Sequence, residues 1–338
     1  MTDVGTGERS APRLAVVVVN YGSSALLDRN LRVVADQCPD AVVVVVDNPT
    51  TQRERDAVRG LVDRQGWVGV YPETNLGFGS GMNVGVAAAR AAGATEFLLL
   101  NPDATIRGAD VELLRAAVHR RPMLLVSPLV RRPDGTTWFA GSDLYLRSGL
   151  MRSRRRRRTD RGPVREWLSG ACLLIGASLW DAVGGFRDDY FLYWEDVDLS
   201  HRVVAAGGAL AVVEAAEALH DEGGTHRDDG QVGKSATYYY WNALNRLRYA
   251  TDHLSPGARL RWLALAPWAA RDLLLQGGRR QLLRPRTPVS AVVRGTVAGA
   301  ALVLRSLVPS RPARGVAGPG AAAPAAGAAE APVTEPVD

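Results

Sequence analysis

Three acidic side chains, Glu195, Asp196 and Asp198, fall within four residues of the segment FLYWEDVDL (191–199), just behind Phe191, Tyr193 and Trp194. Aromatic neighbours keep water from a carboxylate, and that shielding raises its pKa toward the range in which it takes a proton from an alcohol. Glu195 and Asp196 therefore suit a general base. Asp198 suits the acidic first turn of a helix, favoured there by the helix dipole.

Two more acids close apolar runs: Asp47 in VVVVVDN (42–48) and Asp103 in EFLLLNPD (96–103). On adjoining strands of one sheet they would meet at one edge and repel unless something positive or hydrogen-bonding lay between them. A divalent cation chelated with a diphosphate is the natural candidate, because hard cations take oxygen ligands and keep substrate phosphates in their shell. Singly, each reads as a turn former or a helix cap. His220, closing ALAVVEAAEALH (209–220), is either a metal or phosphate ligand or, as lone histidines usually are, structural.

NLGFGSGMN (75–83) spaces Gly77, Gly79 and Gly81 as GxGxG after the third apolar run. A dinucleotide fingerprint needs GxGxxG directly after the first strand and an acid closing the second, so a Rossmann dehydrogenase is a poor reading. Glycines here still let a ligand approach the backbone and a helix N-terminus, unless they only shape a tight turn.

The elements that must position these groups follow from patterning. LAVVVVN (14–20), VVVVVDN, WVGVY (67–71) and EFLLLNPD are buried-type strands. Between them, Leu26, Leu27, Leu31 and Val34 recur at helical spacing, TQRERDAVRGLVDRQ is an amphipathic helix, and Gly77 to Ala92 is a turn feeding a helix. This alternation predicts an α/β fold, an open parallel sheet with helices on both faces, whose ligands bind at the carboxyl ends of the strands. Three such ends read Asn20-Tyr21, Asp47-Asn48 and Asn101-Pro102-Asp103.

Beyond residue 130 a short strand in TTWFAG, a mobile arginine-rich loop (151–165), a strand in WLSGACLLIG (167–176) and a helix after the acidic cluster are expected, with Val197, Val203 and Val204 toward the core. ALAVVEAAEALH supplies one or two strands. Helices follow from 234, the last over 289–308. Arg261, Arg271, Asp272, Arg294 and Arg305 interrupt the last two apolar helices, which argues against a spanning helix. Interfacial helices with a basic rim and helices packed on the sheet domain both remain open.

The chain of 338 residues is 46% apolar and 22% charged, which excludes collagen-like, disulfide-stapled and wholly disordered classes. Two cysteines, Cys38 and Cys172, and a start without a secretion-signal pattern imply a reducing, cytoplasmic setting. The net charge of +6 is unevenly spread: residues 151–165 carry eight arginines against Asp160, residues 256–316 eleven against Asp272, and the stretch between is acidic. Such a chain suits anionic ligands near a negatively charged surface. Nucleic acid is a distant alternative, since the aromatics lie in the acidic stretch and leave no stacking platform among the arginines. A sugar nucleotidyltransferase would bring a lysine-bearing phosphate loop near the first strand, and NYGSSALL has no lysine.

In order, VVVVNY, VVDN, NLGFGSGMNVG, LLLNPDA, LSGACLLI, VGGFRDDYFLYWEDVDLSHRV and a following LH resemble the family 2 glycosyltransferases, inverting enzymes with the GT-A fold. The likeness spans about residues 14–250 and is strongest toward bacterial rhamnosyltransferases, notably actinobacterial ones acting on polyprenyl-diphospho-N-acetylglucosamine. It implies a mostly parallel central sheet with helices on both faces, followed by C-terminal helices. The segments expected are a disordered 1–12, a transferase domain over 13–232, a helical, membrane-associated region over 233–308 and a disordered Ala/Pro-rich 309–338.

The resemblance implies that Asn20, Tyr21, Asp47, Asn48, Asn75, Gly77, Asn83 and Asn101 surround the nucleotide sugar. It implies that Asp103, last acid of the family's DxD motif, binds Mg²⁺ or Mn²⁺ with His220. Asp196 stands at the catalytic-base position with Glu195 beside it, and Trp194 and Arg202 are assigned to the acceptor or its phosphate. The implied donor is dTDP-rhamnose, with UDP-galactofuranose, GDP-mannose and UDP-N-acetylglucosamine as alternatives. The implied acceptor is lipid-linked or a cell-wall glycan, at the inner face of the plasma membrane, with an anionic membrane surface as partner and no nucleic acid. Three positions depart from the pattern: Asn101 replaces the first DxD acid, Arg187-Asp188 replaces Asp-Glu after GGF, and Trp241 precedes Asn242 where an arginine is usual.

Overall fold

The computed structural model describes residues 13–221, 234–276, 278 and 286–308; the segments expected to be disordered, 1–12 and 309–338, lie outside the described residues. β1 (Leu14–Tyr21) leads through α1 (Ser24–Leu26), a π turn over Leu27–Leu31 and α2 (Arg32–Gln37) to β2 (Val42–Asn48), α3 (Gln52–Gln65) and β3 (Val68–Val70). Next come α4 (Gly79–Ala91), β4 (Glu96–Leu100), β5 (Ala104–Ile106), α5 (Gly108–Arg120), β6 (Leu124–Arg131), β7 (Thr137–Phe139), β8 (Ser142–Tyr145) and β9 (Leu150–Ser153). β10 (Val164–Trp167), β11 (Cys172–Gly176), α6 (Ala177–Val183), α7 (Glu195–Ala205) and β12 (Ala209–His220) complete the sheet region. Four helices close the described chain: α8 (Ala236–His253), α9 (Pro256–Ala264), α10 (Ala266–Gln276) and α11 (Arg286–Leu307).

The main sheet runs β3-β2-β1-β4-β11-β6-β12-β5, with β7 paired to β6. β1 is parallel to β2 and β4, and β2 to β3. Beyond β4 the expected parallel sheet becomes mixed: β11 is antiparallel to β4 and β6, and β12 parallel to β6 but antiparallel to β5. After β4 the strand–helix–strand rhythm that makes right-handed parallel crossovers is interrupted, since no α-helix separates β4 from β5 or any of the strands from β6 to β11. β12 is one strand with an irregular register between Val213 and Glu217.

β1 is buried on both faces, which is why its sequence is continuously apolar rather than alternating. Val16 and Val18 join Leu31, Val58, Leu61 and Leu114 in the layer under α2, α3 and α5. Val17 and Val19 join Met82, Val86, Leu179 and Val203 in the layer under α4, α6 and α7. Each such valine contributes about 1.5–3 kcal/mol relative to leaving it in water. Val197 and Val203 are core residues as expected, whereas Val204 turns out to be exposed. It lies one position past Val203, on the solvent side of the α7 surface.

The arginine-rich stretch 151–165 is not a mobile loop. It forms β9, β10 and two short 3₁₀ turns around β8, giving a second sheet ordered β10-β8-β9. The reason is a buried acid: Arg157 forks onto both oxygens of Asp143 at 2.7 and 2.6 Å and also reaches Glu166 at 2.5 Å. Asp143 has no solvent of its own, so removing that guanidinium would strand a buried charge.

α11 meets the length and composition of a membrane-crossing helix, its best window having a mean hydropathy of 1.5, despite the arginines that argued against one. One face is occupied within the fold. Ala291, Val292, Gly295, Gly299 and Val303 are buried, and a Cβ on Gly295 would lie 2.2 Å from Tyr240 O of α8. Val289, Val293, Val297 and Leu304, on the other face, are exposed.

Candidate active site

The carboxyl ends of β1, β2 and β4 open into a cavity of about 1260 Å³, walled on the far side by α8, α10 and α11. Tyr21, Asn48, Asn75, Gly77, Asn101, Asp103, Trp194, Glu195, Asp196 and His220 line it. Its volume exceeds that of ordinary small-ligand pockets, roughly 300–1,000 Å³.

On the sheet side, Asn20 Nδ2 donates to Asp47 Oδ1 at 2.7 Å and Arg55 Nε meets Asp47 Oδ2 at 2.9 Å. Burial pushes the Asp47 carboxyl up, while Asn20 and Arg55 pull it back. Asp47 and Asp103 are not on adjoining strands as expected: β1 separates β2 from β4. Because Arg55 supplies the positive charge that Asp47 needs, no shared cation is required.

Asn48 and Asn75 shape the glycine loop as well as face the cavity. Asn48 accepts from Leu76 N at 3.0 Å and donates to Gly77 O at 3.1 Å, while Asn75 Oδ1 accepts from Gly77 N at 2.9 Å. Gly77 has φ +77°, and a Cβ there would lie 2.0 Å from Phe191 O. Phe78 N donates to that same carbonyl at 3.0 Å, so the loop is stitched to the segment carrying the acidic cluster.

Asp103 and His220 are both buried, with Nε2 of His220 3.1 Å from Asp103 Oδ1. Asn101 Nδ2 lies 3.5 Å from the same imidazole nitrogen, and Trp138 packs on the ring at 4.4 Å. Asp221 N donates to Asp103 O at 3.0 Å, which pins the end of β12 beside the NPD turn. A carboxylate, an imidazole and an amide converging on a diphosphate-sized cavity form a donor set that fits Mg²⁺ or Mn²⁺. A second cluster, Asp198 with Asp252 and His253, has its ligand atoms within 4.8 Å of one another. There Asp198 already accepts from Arg202 at 2.7 Å and lies 2.6 Å from His253 Nε2. Burial works against the Asp198 carboxylate, yet His253 and Arg202 hold it below its ordinary range. That cluster is an internally neutralised knot.

The acidic cluster opens α7. Tyr193 and Trp194 carry φ of 64° and 73°, a left-handed pair among non-glycine residues. Glu195 is buried, and its Oε2 has no hydrogen-bond partner among the described residues. Burial, then the neighbouring Asp196 charge, lifts its pKa well above the usual carboxylate range. Asp196 is half-buried, with Oδ2 accepting from Gly170 N at 3.0 Å and Oδ1 from Val197 N at 2.8 Å. Burial raises its pKa to about 6 against those hydrogen bonds. A carboxylate held by backbone donors at a cavity wall, with a pKa near working pH, is equipped to take an alcohol proton.

Four expected residues lie outside the cavity lining: Asn20 and Asp47, which are paired with each other, and Asn83 and Arg202. Asn83 accepts from Phe186 N and donates to Phe186 O, both at 2.8 Å, fixing the turn after GGF. Arg202 donates to Asp198, Val183 O and Gly185 O, so its guanidinium braces α7 instead of facing an acceptor. Trp194 does line the cavity, packed against Tyr249 and Trp262.

Three contributors escaped the sequence reading. Gly170 supplies the backbone donor to Asp196. Asn245, wholly buried, donates to Leu192 O and Tyr193 O. Asn242, which the motif had put forward, donates only to Tyr238 O within its own helix. The signal was a polar residue one turn further along an otherwise apolar face of α8. Arg246 lines the cavity with its guanidinium on Trp262 O and Ser148 O, and burial brings its pKa down to about 10.

Residues 12–228 match the family described as Glycosyltransferase like family 2. The chain is 32% identical over 236 residues to the N-acetylglucosaminyl-diphospho-decaprenol L-rhamnosyltransferase of Mycobacterium tuberculosis, covering 61% of this chain and 75% of that protein. Two solved structures share the fold at 17% identity. GalNAc-T7 with UDP, GalNAc and Mn²⁺ has a TM-score of 0.53 over 72% of this chain, which spans 51% of that chain. The mannosyltransferase PcManGT from Pyrobaculum calidifontis, in complex with GDP-Man and Mn²⁺, has a TM-score of 0.51 over 88% of each chain.

Proposed function

The chain belongs to glycosyltransferase family 2, and on that premise we propose that it moves L-rhamnose from dTDP-rhamnose, with inversion, onto a polyprenyl-diphosphate-linked N-acetylglucosamine. The observation that carries the reading is Asp196, half-buried, fixed by Gly170 N–H and facing the cavity that also holds Asp103 and His220. Among sugars and acceptors, the mycobacterial relative favours this pair.

The acceptor hydroxyl lies against Asp196, which removes its proton as the oxygen attacks the anomeric carbon. The carbon–oxygen bond to the nucleotide diphosphate breaks on the opposite face, so configuration inverts. Tyr21, Asn48, Asn75 and the Gly77 loop seat the nucleotide, and the glycine lets the diphosphate approach the backbone. Asp103 and His220, with Asn101 beside them, would hold Mg²⁺ or Mn²⁺, which supplies electrostatic stabilisation of the departing diphosphate. Trp194 walls the acceptor side and excludes water from the base.

The enzyme works as a peripheral protein on the cytoplasmic face of the plasma membrane, its arginine-rich C-terminal helices resting on anionic lipid. Thermal-shift titration with dTDP-rhamnose, UDP-sugars and GDP-mannose, each with and without Mn²⁺, identifies the donor. Incubation of the stabilising donor with a GlcNAc-diphospho-lipid then identifies the acceptor. Stabilisation by dTDP-rhamnose followed by rhamnosylated lipid is expected. Stabilisation by another donor alone, or no transfer to the lipid, overturns the corresponding half of the reading.

A further inference from the structure

The reaction cavity does not end at the helical wall. Ala270 of α10 lines it and also lines an adjoining groove of about 390 Å³ between α10 and α11. That groove is apolar, formed by Leu274, Leu275, Val289, Val292 and Val293, with Arg271 at its rim. It opens beside the exposed apolar face of α11, where Val293 and Val297 are 53% and 63% exposed, and beside Trp268, 60% exposed. Arg294 and Arg305, eleven residues apart and hence on one side of the helix, flank that face.

We propose that the groove between α10 and α11 receives the isoprene units next to the diphosphate of the acceptor's polyprenyl chain, leading it from the bilayer to the reaction cavity. The inference rests on the acceptor reading given under Proposed function. Charge is ordered along the path as such a ligand requires. Asp196 meets the sugar hydroxyl, Arg246 and Lys234 line the cavity where the anionic diphosphate passes, Asp272 on the same wall is neutralised by Arg152, and the lining beyond Ala270 is hydrocarbon apart from Arg271 at the rim. Apolar surface removed from water on both chain and groove drives the seating.

The test uses the full chain and two acceptors with the same GlcNAc-diphosphate head, one on a decaprenyl chain and one on a methyl group. In Val293→Trp and Leu275→Trp the indole fills the groove from exposed positions while keeping the face apolar, so lipid-surface affinity is retained and folding is not at risk. The decaprenyl KM rises about tenfold in both variants, with kcat and the methyl-acceptor kinetics unchanged. Co-sedimentation with anionic vesicles stays at the wild-type level. Unchanged decaprenyl KM, or equal loss with both acceptors, overturns the proposal. A change in oligomeric state in the variants also overturns it, by marking the groove as an interface between copies. If the wild type transfers to neither acceptor while still binding donor, the acceptor reading itself fails and the groove assignment falls with it.

Discussion

The side-chain amide of Asn245 donates to the carbonyl of Tyr193 at 2.9 Å, and to that of Leu192 at 3.0 Å. One buried residue of α8 thereby holds the turn that delivers the chain into α7. Left-handed backbone costs a non-glycine residue roughly 1–2 kcal/mol, and Tyr193 and Trp194 both adopt it immediately before Glu195 and Asp196. Such a turn persists only where its surroundings over-determine it.

Asn245→Ala is therefore expected to lower stability by about 1–3 kcal/mol, the cost of leaving buried carbonyls without a donor. It should also reduce kcat more than donor affinity, because the turn aims Asp196 directly and reaches the donor loop only through the neighbouring Phe78 N–H to Phe191 O hydrogen bond. Chemical denaturation and steady-state kinetics read the two effects separately. A stability loss with unchanged kcat would reduce Asn245 to a purely structural role.

Asp196 gives activity and stability opposite pH dependences. Its pKa of about 6 in the folded protein lies above the value near 3.9 of an unfolded aspartate. Protonation therefore favours the folded state: the contribution is full below about pH 4 and is lost as pH rises through about 6. Catalysis needs the carboxylate, so kcat rises across that same interval. Asp196→Asn should cut turnover ~10²–10⁴-fold with donor binding intact. It should also remove part of the decline in unfolding free energy between pH 4 and 6, leaving the remainder to Glu195, whose shift has the same sign. Parallel pH series of denaturation on both proteins check this.

Donor binding should be strengthened by Mn²⁺ through Asp103 and His220. At a ligand concentration 100 times Kd, binding to the native state alone adds about 2.7 kcal/mol of apparent stability. Asp103→Asn and His220→Ala should lose the metal-dependent part of the donor shift, each read against its own ligand-free melting temperature, which losing the buried imidazole packed on Trp138 lowers in His220→Ala. Retention of that part would move the cation away from the NPD turn.

The sheet side of the cavity was largely legible in the sequence because buried parallel strands write themselves as unbroken β-branched runs, and the residues that end them necessarily gather at one edge. LAVVVVN, VVVVVDN and EFLLLNPD thus placed Tyr21, Asn48 and Asp103 together. Pairing order was not legible, so Asp47 was set against Asp103 when its partner is Arg55, delivered from α3. The arginine stretch misled for a related reason. Arg157 reads as solvated charge until Asp143, fourteen residues earlier, is seen to be buried beneath it. The helical wall of the cavity was the least legible part. Asn242 directly follows the YYYW run and Asn245 lies about one turn further on, and only the docking of α8 decides which one reaches the Leu192–Tyr193 turn.

The glycines of α11 set a distance. With Gly295 and Gly299 seated against Tyr240, Leu244 and Leu247, the helix cannot be drawn into lipid without dismantling a wall of the cavity, since Thr296 lies between them on that wall. On the proposed peripheral reading, bilayer contact would therefore be made by a rigid layer one helix thick, about 10 Å. The reaction centre would then be held at a fixed height above the lipid, and an acceptor would be usable only if its linkage between hydrocarbon and sugar spanned that height.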